Sequence, residues 1–284
     1  MIRIGLAGWG DHRDLYADGT PAQDRLQRYG RYFSTVEVDS SFYAVQSERN
    51  YAKWAEETPV DFAFVVKAYQ GMTGHLRGKN PFDSTDAMFR AFLDSIRPVR
   101  EAGKLKTVLF QYPPWFDCTR DNVAVLREAK ERMGDVPVAL EFRHQTWFNP
   151  AFRDKTLAFL EAEGWMHSVC DEPQVAPGSV PTVLKATHPG VTIVRFHGRN
   201  ADGWTKQPDR DWREVRYLYR YSEAELAEWV GHLRLLEQGS VEVCVIFNNN
   251  SGGDAAKNAL QFMDMLGLPH PDLPPPPPEQ LGLF

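Results

Sequence analysis

The hexapeptide VALEFR, residues 138–143, has the pattern of a β-strand that is covered on both faces. Side chains alternate between the two faces of a strand, so residues two apart lie on the same face. One face is bulky and apolar and suits packing against outer helices; it consists of Val138, Leu140 and Phe142. The other face would point to the axis of a barrel and consists of Ala139, Glu141 and Arg143. The hexapeptide therefore predicts a barrel strand with two charged side chains near its end.

Seven further segments are apolar and rich in β-branched residues, and segments with helical character lie between most of them. The strand candidates lie at 3–10, 35–40, 62–68, 107–113, 166–172, 191–198 and 241–249. The helix candidates lie at 83–100, 120–133, 150–163, 222–236 and 253–266. Alternation of strand and helix eight times favours a single (β/α)8 TIM-type barrel. A doubly wound open sheet is the alternative, but the glycines between Gly5 and Gly10 lack the spacing of its phosphate-binding turn.

The composition is that of an ordinary globular protein. The chain has 284 residues, 43% of them hydrophobic and 25% charged, with a net charge of −6. This charge excludes a protein that coats nucleic acid through overall basicity, although a local basic cluster is compatible with nucleic-acid binding. No apolar run approaches the roughly 20 residues of a membrane helix, the N-terminus begins directly in a strand, and the three cysteines form no Cys-x-x-Cys pair. We therefore expect a cytoplasmic protein without a membrane partner.

The C-terminal end differs in composition from the rest of the chain. Residues 1–268 carry the barrel pattern, whereas residues 269–284 begin with a proline-rich stretch that includes an unbroken run from Pro274 to Pro278. Such a run forms an extended, stiff spacer. We interpret residues 269–284 as a spacer that presents an apolar C-terminal tip; a tail that folds back on the barrel is the alternative.

Polar residues recur at the ends of the predicted strands. They are Glu37 with Asp39, Lys67, Gln111, Glu141 with Arg143, Asp171, Arg195 with His197, and Asn248. In a (β/α)8 barrel the C-terminal ends of the strands form the rim where catalytic residues lie. Any one of these residues has a structural explanation, such as an ion pair or a hydrogen-bonded core histidine. The whole set instead predicts a single polar pocket.

The predicted pocket combines acidic and basic groups. Arginine side chains match phosphate or carboxylate oxygens with two hydrogen bonds, so Arg143 and Arg195, with Arg199 as an additional candidate, indicate an anionic ligand. The candidates for acid–base catalysis are Glu37, Glu141, His197 and Lys67, the last also as a Schiff-base nucleophile. The candidates for substrate binding are Gln111, Arg143, Arg195, Asn248, Asp171, Trp9, Tyr43 and His75.

A metal centre is the alternative to an anion pocket. Histidine and carboxylate ligands are present in sufficient number, but no His-x-x-x-His or comparable spacing occurs, and neighbouring cations would repel a metal ion. We therefore expect no cofactor and no resident metal, while a divalent metal ion stays open as the second interpretation.

Several blocks of sequence resemble the YecE-like proteins, the family known as domain of unknown function 72. The blocks are 35–43, 109–114, 141–144 with Trp147, 195–199 and 247–249, together with Lys67 and His75. The resemblance covers nearly the whole chain except the tail and implies a barrel, but no established reaction. Asp39 stands where this family usually has asparagine, and residues 10–12 replace an aromatic residue that usually follows the Gly-Trp pair.

The C-terminal pentapeptide is similar to the motif by which bacterial replication and repair proteins bind the DNA polymerase sliding clamp. The matching residues are Gln280, Leu281, Leu283 and Phe284. Such a peptide inserts apolar side chains into a pocket and anchors its glutamine by hydrogen bonds. The resemblance implies a sliding clamp as a partner and a link to DNA repair.

Three functional hypotheses follow. The first is a hydrolase or lyase that acts on a phosphate-bearing substrate, a nucleotide or nucleic acid included, by metal-independent acid–base chemistry. The second is a non-catalytic protein that senses an anionic metabolite or serves as a clamp-associated adaptor. The third, by analogy with other barrels alone, is a metal-dependent phosphoesterase or a sugar-phosphate isomerase or aldolase.

Overall fold

Eight parallel strands form a closed barrel in the computed structural model, which describes residues 1–16, 19–205 and 215–274. Each strand pairs with the next in sequence and the eighth pairs with the first, so the sheet has no free edge. The strands are β1 (Ile2–Ala7), β2 (Thr35–Val38), β3 (Ala63–Lys67), β4 (Leu105–Gln111), β5 (Val138–Glu141), β6 (Met166–Asp171), β7 (Val191–Phe196) and β8 (Glu242–Phe247). The predicted single-domain (β/α)8 barrel is confirmed.

The alternation of side chains between the two faces of each strand separates two apolar regions. Val138, Leu140 and Phe142 pack outward in the large core between the strands and the helices. A smaller cluster fills the barrel itself and consists of Val65, Leu109, Ala139, Met166, Ile193, Cys244 and Ile246. Residues two positions further along these strands share the inward face, because the side-chain period is two. This places the polar strand ends above an apolar floor.

Helices surround the strands. They are α1 (Arg25–Tyr29), α2 (Ser40–Tyr43), α3 (Glu48–Glu57), α4 (Thr85–Glu101), α5 (Arg120–Met133), α6 (Arg153–Glu163), α7 (Ala201–Trp204), α8 (Glu223–Glu237) and α9 (Ala255–Leu266). Side-chain caps set several of the starts: Ser84 accepts a hydrogen bond at α4, Thr119 at α5, and Ser222 forms a full capping box with Glu225 at α8. The caps provide acceptors for backbone N–H groups that have no partner within the helix.

The five predicted helices are present in the structure, whereas the short helices α1, α2 and α7 were not predicted. Helix α3 was not predicted from the sequence, although it packs extensively against α4 and is capped by Ser47. The expected eightfold alternation is wrong between β6 and β7, because residues 172–190 are all described and contain no helix. This connection instead carries hydrogen bonds that anchor it to the barrel, for example from the Thr182 hydroxyl to the Cys170 carbonyl of β6.

The chain after α9 runs back along the barrel. Leu273 packs against the main core, and Tyr32 donates a hydrogen bond to the Asp272 carbonyl. The predicted clamp-binding peptide lies outside the described residues. Within the part of the chain that the structure describes, no helix has the length and apolar character required to span a bilayer.

Candidate functional site

Six charged or titratable side chains form an interior charge network near the C-terminal ends of the strands. The network consists of Glu37, Glu141, Arg143, Glu172, Arg195 and His197. All six are buried, and five of them were predicted as site residues from the sequence. Burial of this many charges is tolerated only when each finds a partner.

Arg195 joins two strands on opposite sides of the barrel. Its Nε and Nη2 atoms donate to the two oxygens of Glu37 at 2.8 and 2.6 Å, and its Nη1 atom donates to Glu141 at 2.8 Å. The side chain of Arg195 is 1% exposed. The expected anion-binding fork is therefore occupied by carboxylates of the protein itself.

Arg143 is engaged in the same way. Its Nη2 atom lies 2.7 Å from Glu141 and its Nη1 atom donates to Glu172 at 2.5 Å. Burial alone would raise the pKa of Glu141, but the guanidinium groups of Arg143 and Arg195 lower it well below its usual range. Glu141 is thus a permanent carboxylate held between two cations, and neither arginine is free to hold a ligand anion.

His197 lies at the centre of the network and is fully buried. Its Nε2 atom lies 3.0 Å from Nη2 of Arg143, and its Nδ1 atom lies 3.0 Å from the Asn248 amide. Because a guanidinium can only donate, Nε2 accepts and Nδ1 carries the proton, which makes the oxygen of the Asn248 amide the fitting acceptor. Burial, reinforced by the charges of Arg143 and Arg195, lowers the pKa of His197 well below its usual value. His197 is a neutral side chain with both nitrogens in use.

Glu37, Asp39 and Lys67 form a carboxylate–lysine group at the edge of this network. The Lys67 ammonium lies 3.2 Å from Asp39 Oδ1, and Glu37 and Asp39 hydrogen bond to each other. Burial raises the pKa of Glu37 to about 7, with Arg195 opposing the rise, whereas the ammonium of Lys67 overcomes burial and lowers the pKa of Asp39. The pKa values of these two neighbouring carboxyl groups move apart, so Asp39 is a carboxylate while Glu37 titrates near neutral pH.

A mouth cleft of about 950 Å³ opens above the ends of β1, β2 and β8. It is lined by Asp39, Tyr43, Tyr217, Asn248, Arg13, Arg25 and the loop that leads into α9. Asp39 has 39% of its side-chain surface exposed and Lys67 has 13%, whereas Glu141, Arg195 and His197 have at most 1%. Asp39 is therefore the member of the carboxylate–lysine group that a ligand in the cleft contacts, with Lys67 paired to it at 3.2 Å.

Three other predicted binding residues lie near the rim. Tyr43 lines the cleft, and His75 contacts the ring of Phe42. Burial and the charge of Lys67 lower the pKa of His75 to about 4, so this ring is neutral at physiological pH. Gln111 faces inward in register with Glu141 and is half-buried.

Two predicted site residues lie away from the cluster. Asp171 points out of the barrel, where it accepts two hydrogen bonds from Arg199 and one each from Tyr221 and Trp229. The expected convergence of Asp171 and Arg199 on the pocket is wrong, because the parity of β6 turns Asp171 outward and the following residue, Glu172, inward. Trp9 packs edge to face against Trp54 at 5.1 Å and does not line the cleft.

One group of potential metal ligands occurs within the described residues, formed by Glu141, Cys170 and His197 with donor atoms within 4.8 Å of one another. These atoms do not fit a metal ion. Glu141 and the Nε2 atom of His197 already accept hydrogen bonds from guanidinium groups, whose positive charge opposes a cation. Burial also raises the pKa of Cys170 well above its usual value, which keeps it a thiol and not a thiolate ligand.

Asp39, Glu172 and Tyr217 belong to the site but were not among the predicted site residues. The sequence did indicate Asp39, since it lies two residues after Glu37 and therefore on the same face of the extended chain. For Glu172 the segment 166–172 is polar at both parities, so alternation could not decide between Asp171 and Glu172. Tyr217 follows no strand, and only the fold brings its ring to 5.8 Å from His197.

Fold and site together define a (β/α)8 barrel with a buried charge network beneath an open C-terminal mouth. The chain belongs to the family described as protein of unknown function DUF72, whose family profile matches residues 3–281. It is 57% identical to the UPF0759 protein YunF of Bacillus subtilis over 286 residues, covering all of both chains. The predicted membership in the YecE-like family is thereby confirmed.

Solved structures of the same family have the same fold. A DUF72 family protein of Enterococcus faecalis is 36% identical, with a TM-score of 0.90 over 98% of this chain and 99% of that one. A DUF72 family protein of Thermotoga maritima is 32% identical, with a TM-score of 0.80 over 94% of this chain and 99% of that one.

Proposed function

We propose that this protein is an enzyme that acts by acid–base chemistry on an anionic small molecule, most simply one that carries a phosphate group, bound in the mouth cleft. The observation that carries the proposal is the carboxylate–lysine group of Glu37, Asp39 and Lys67. It combines a carboxylate that lines the cleft, Asp39, a cation 3.2 Å from it, Lys67, and a neighbouring buried carboxyl group, Glu37, whose pKa is raised to about 7.

Each member of the group has a role that follows from its environment. Asp39 is ionised and half-exposed, so it acts as the general base towards a substrate in the cleft. Glu37, buried behind it with a pKa of about 7, exchanges the proton with Asp39. Lys67 stabilises negative charge that develops on the substrate.

The charge of Lys67 bears on the alternative of a Schiff-base aldolase. Burial opposes the ammonium form, but the Asp39 carboxylate raises the pKa of Lys67 above its usual value. A lysine that attacks a carbonyl must be neutral, which requires the opposite shift. The environment of Lys67 supports electrostatic stabilisation over nucleophilic attack.

The preference for an anion rests on cations that line the cleft, since Arg143 and Arg195 are occupied. Arg13 is exposed on the cleft wall and Arg25 lies beside it, with its Nη1 atom donating to the Gly10 carbonyl. Lys257 also lines the cleft but is paired with Asp14 at 3.2 Å. A phosphate near Arg13 and Arg25 would leave the rest of the substrate next to Asp39.

The test is a screen of sugar phosphates, phosphate monoesters and nucleotides, followed by phosphorus NMR. We expect Asp39→Asn and Lys67→Met each to lower the turnover of any substrate found by about 10²- to 10⁴-fold, the usual contribution of a general acid–base group. Asp135→Asn and Lys53→Met, which alter exposed ion pairs elsewhere, serve as matched controls. Unchanged turnover in Asp39→Asn would refute the assignment, and binding without turnover would favour the sensor hypothesis.

The tail supports a second, separable role in DNA metabolism. We propose that the peptide with Gln280, Leu281, Leu283 and Phe284 binds the sliding clamp, on the strength of its sequence and the proline run before it. Fluorescence anisotropy of the full chain with purified clamp should give binding that falls at least about tenfold in Leu283→Ala and Phe284→Ala, typical of buried anchor residues. Glu279→Gln is the control, and equal binding by all variants would contradict the role.

A further inference from the structure

Four aromatic side chains form a continuous row along the rim of the barrel mouth. The aromatic row consists of Tyr43, Phe42, His75 and Trp115. Successive ring centroids lie 5.3, 5.1 and 5.9 Å apart. The residues come from three different strand–helix connections, so the row is a product of the fold and not of one local segment.

The two ends of the row are exposed to solvent. Tyr43 is 57% exposed and Trp115 is 55% exposed, which is unusual for large aromatic side chains that already have ring partners. Phe42 and His75 between them are half-buried and hold the row in place. Exposed rings that are fixed from behind provide flat surfaces on which another ring can stack.

Cations accompany the row at an inner ring, Phe42, and at one end, Trp115. The Lys67 ammonium lies 4.9 Å from the centre of the Phe42 ring, and the Arg77 guanidinium lies 5.9 Å from that of Trp115. Lys67 is paired with Asp39 in the carboxylate–lysine group. For Arg77, no ion pair is found within the described residues. Aromatic rings interleaved with cations suit a ligand that has both a flat π-system and negative charge.

Tyr43 connects the row to the mouth cleft, because its side chain contacts Phe42 and also lines the cleft beside Asp39 and Arg25. A ligand stacked on the row therefore reaches the cleft with its other end. We infer that the substrate class is a nucleoside monophosphate, with its base on the aromatic row and its ribose phosphate in the cleft. This inference rests on the proposed function and names the substrate class of the same site.

The experiment compares ligands with and without a base. Dissociation constants of adenosine, guanosine, cytidine and uridine 5′-monophosphates, and of ribose 5-phosphate, are measured by isothermal titration calorimetry. We expect the nucleotides to bind at least about tenfold more tightly than ribose 5-phosphate. Tyr43→Ala and Trp115→Ala should each weaken nucleotide binding by about five- to hundredfold, the range for loss of one stacking partner. Trp115 does not line the cleft, so Trp115→Ala should leave ribose 5-phosphate binding unchanged.

Phe152→Ala is the control, since Phe152 is also a partly exposed aromatic residue, 37% exposed, but begins α6 on another side of the barrel. Tyr43 and Trp115 are exposed, so their variants are expected to fold, and circular dichroism checks this. Equal affinity for nucleotides and ribose 5-phosphate, or nucleotide binding that both alanine variants retain, overturns the inference. If nucleotides and ribose 5-phosphate bind equally well and Arg13→Gln weakens both, the proposed anion site stands while the base-stacking inference fails; if no phosphate ester binds, both fail.

Discussion

Glu141 and Arg195 show how a barrel can contain several charges in its interior. Each carboxylate of the interior charge network accepts from at least one guanidinium, and Glu141 forms ion pairs with two. Such a network need not add stability relative to an apolar core, but removal of one partner leaves the others as uncompensated buried charges.

Glu141→Gln is therefore expected to lower the free energy of unfolding by about 3 to 5 kcal/mol, because two buried guanidinium groups lose the carboxylate they share. Urea denaturation at neutral pH provides the measurement. Glu163→Gln, which breaks a solvent-exposed pair with Arg127, should change stability by less than about 1 kcal/mol. Equal losses in both variants would show that the network does not carry the stability assigned to it.

At the same scale, alternation along single strands predicted Glu37, Lys67, Glu141, Arg143, Arg195 and His197 correctly as inward-facing residues. Alternation could not predict the protonation state or the hydrogen-bond partners of these side chains. His197 was expected as an acid–base catalyst, and only its neighbours Arg143 and Asn248 turn it into a neutral, fully engaged side chain.

Helix α8 illustrates the role of a whole element. It is attached to the barrel by Asp171, whose carboxylate accepts from Trp229 on the helix and from Arg199, which in turn contacts Glu225 and Glu228. The residue that was expected in the pocket instead fixes a helix that supports the β7 end.

Asp171→Ala should destabilise the protein by about 3 to 5 kcal/mol, since the buried N–H of Trp229 and the hydroxyl of Tyr221 lose their acceptor. Hydrogen exchange should locate the change as faster exchange of α8 amides. Glu228→Ala, at the solvent-exposed edge of the same cluster, is the comparison and should leave α8 protected. Uniform acceleration over all helices would argue against a local anchoring role.

Over the whole molecule, stability depends on pH through groups whose pKa values move in opposite directions. Burial raises the pKa of Glu37 and of Glu172 to about 7, from an ordinary value of 4.5. Between these two values the folded protein binds more protons than the unfolded chain, so their contribution to stability falls as the pH rises through this window. Glu141, with its lowered pKa, contributes stability that is lost as the pH falls below about 4.5.

We expect the wild type to lose more stability than Glu37→Gln between about pH 5 and about pH 8, by on the order of 3 kcal/mol, because a glutamine does not titrate. Urea denaturation over this pH range measures the difference. Glu56→Gln, at an exposed position, should keep the wild-type profile. Parallel profiles for wild type and Glu37→Gln would mean that Glu37 ionises normally.

The sequence by itself determined the eight strands, the family, and the inward and outward faces of strands such as β5, because alternation with a period of two is a local property that survives without knowledge of the fold. The tertiary structure alone decided which charges meet. Arg195 binds Glu37 across 158 residues of sequence, and no local pattern encodes such a pairing. Closure of the barrel brings the strand ends within hydrogen-bond distance, and in doing so it engages the arginines with carboxylates and leaves Asp39, paired with Lys67, facing the cleft.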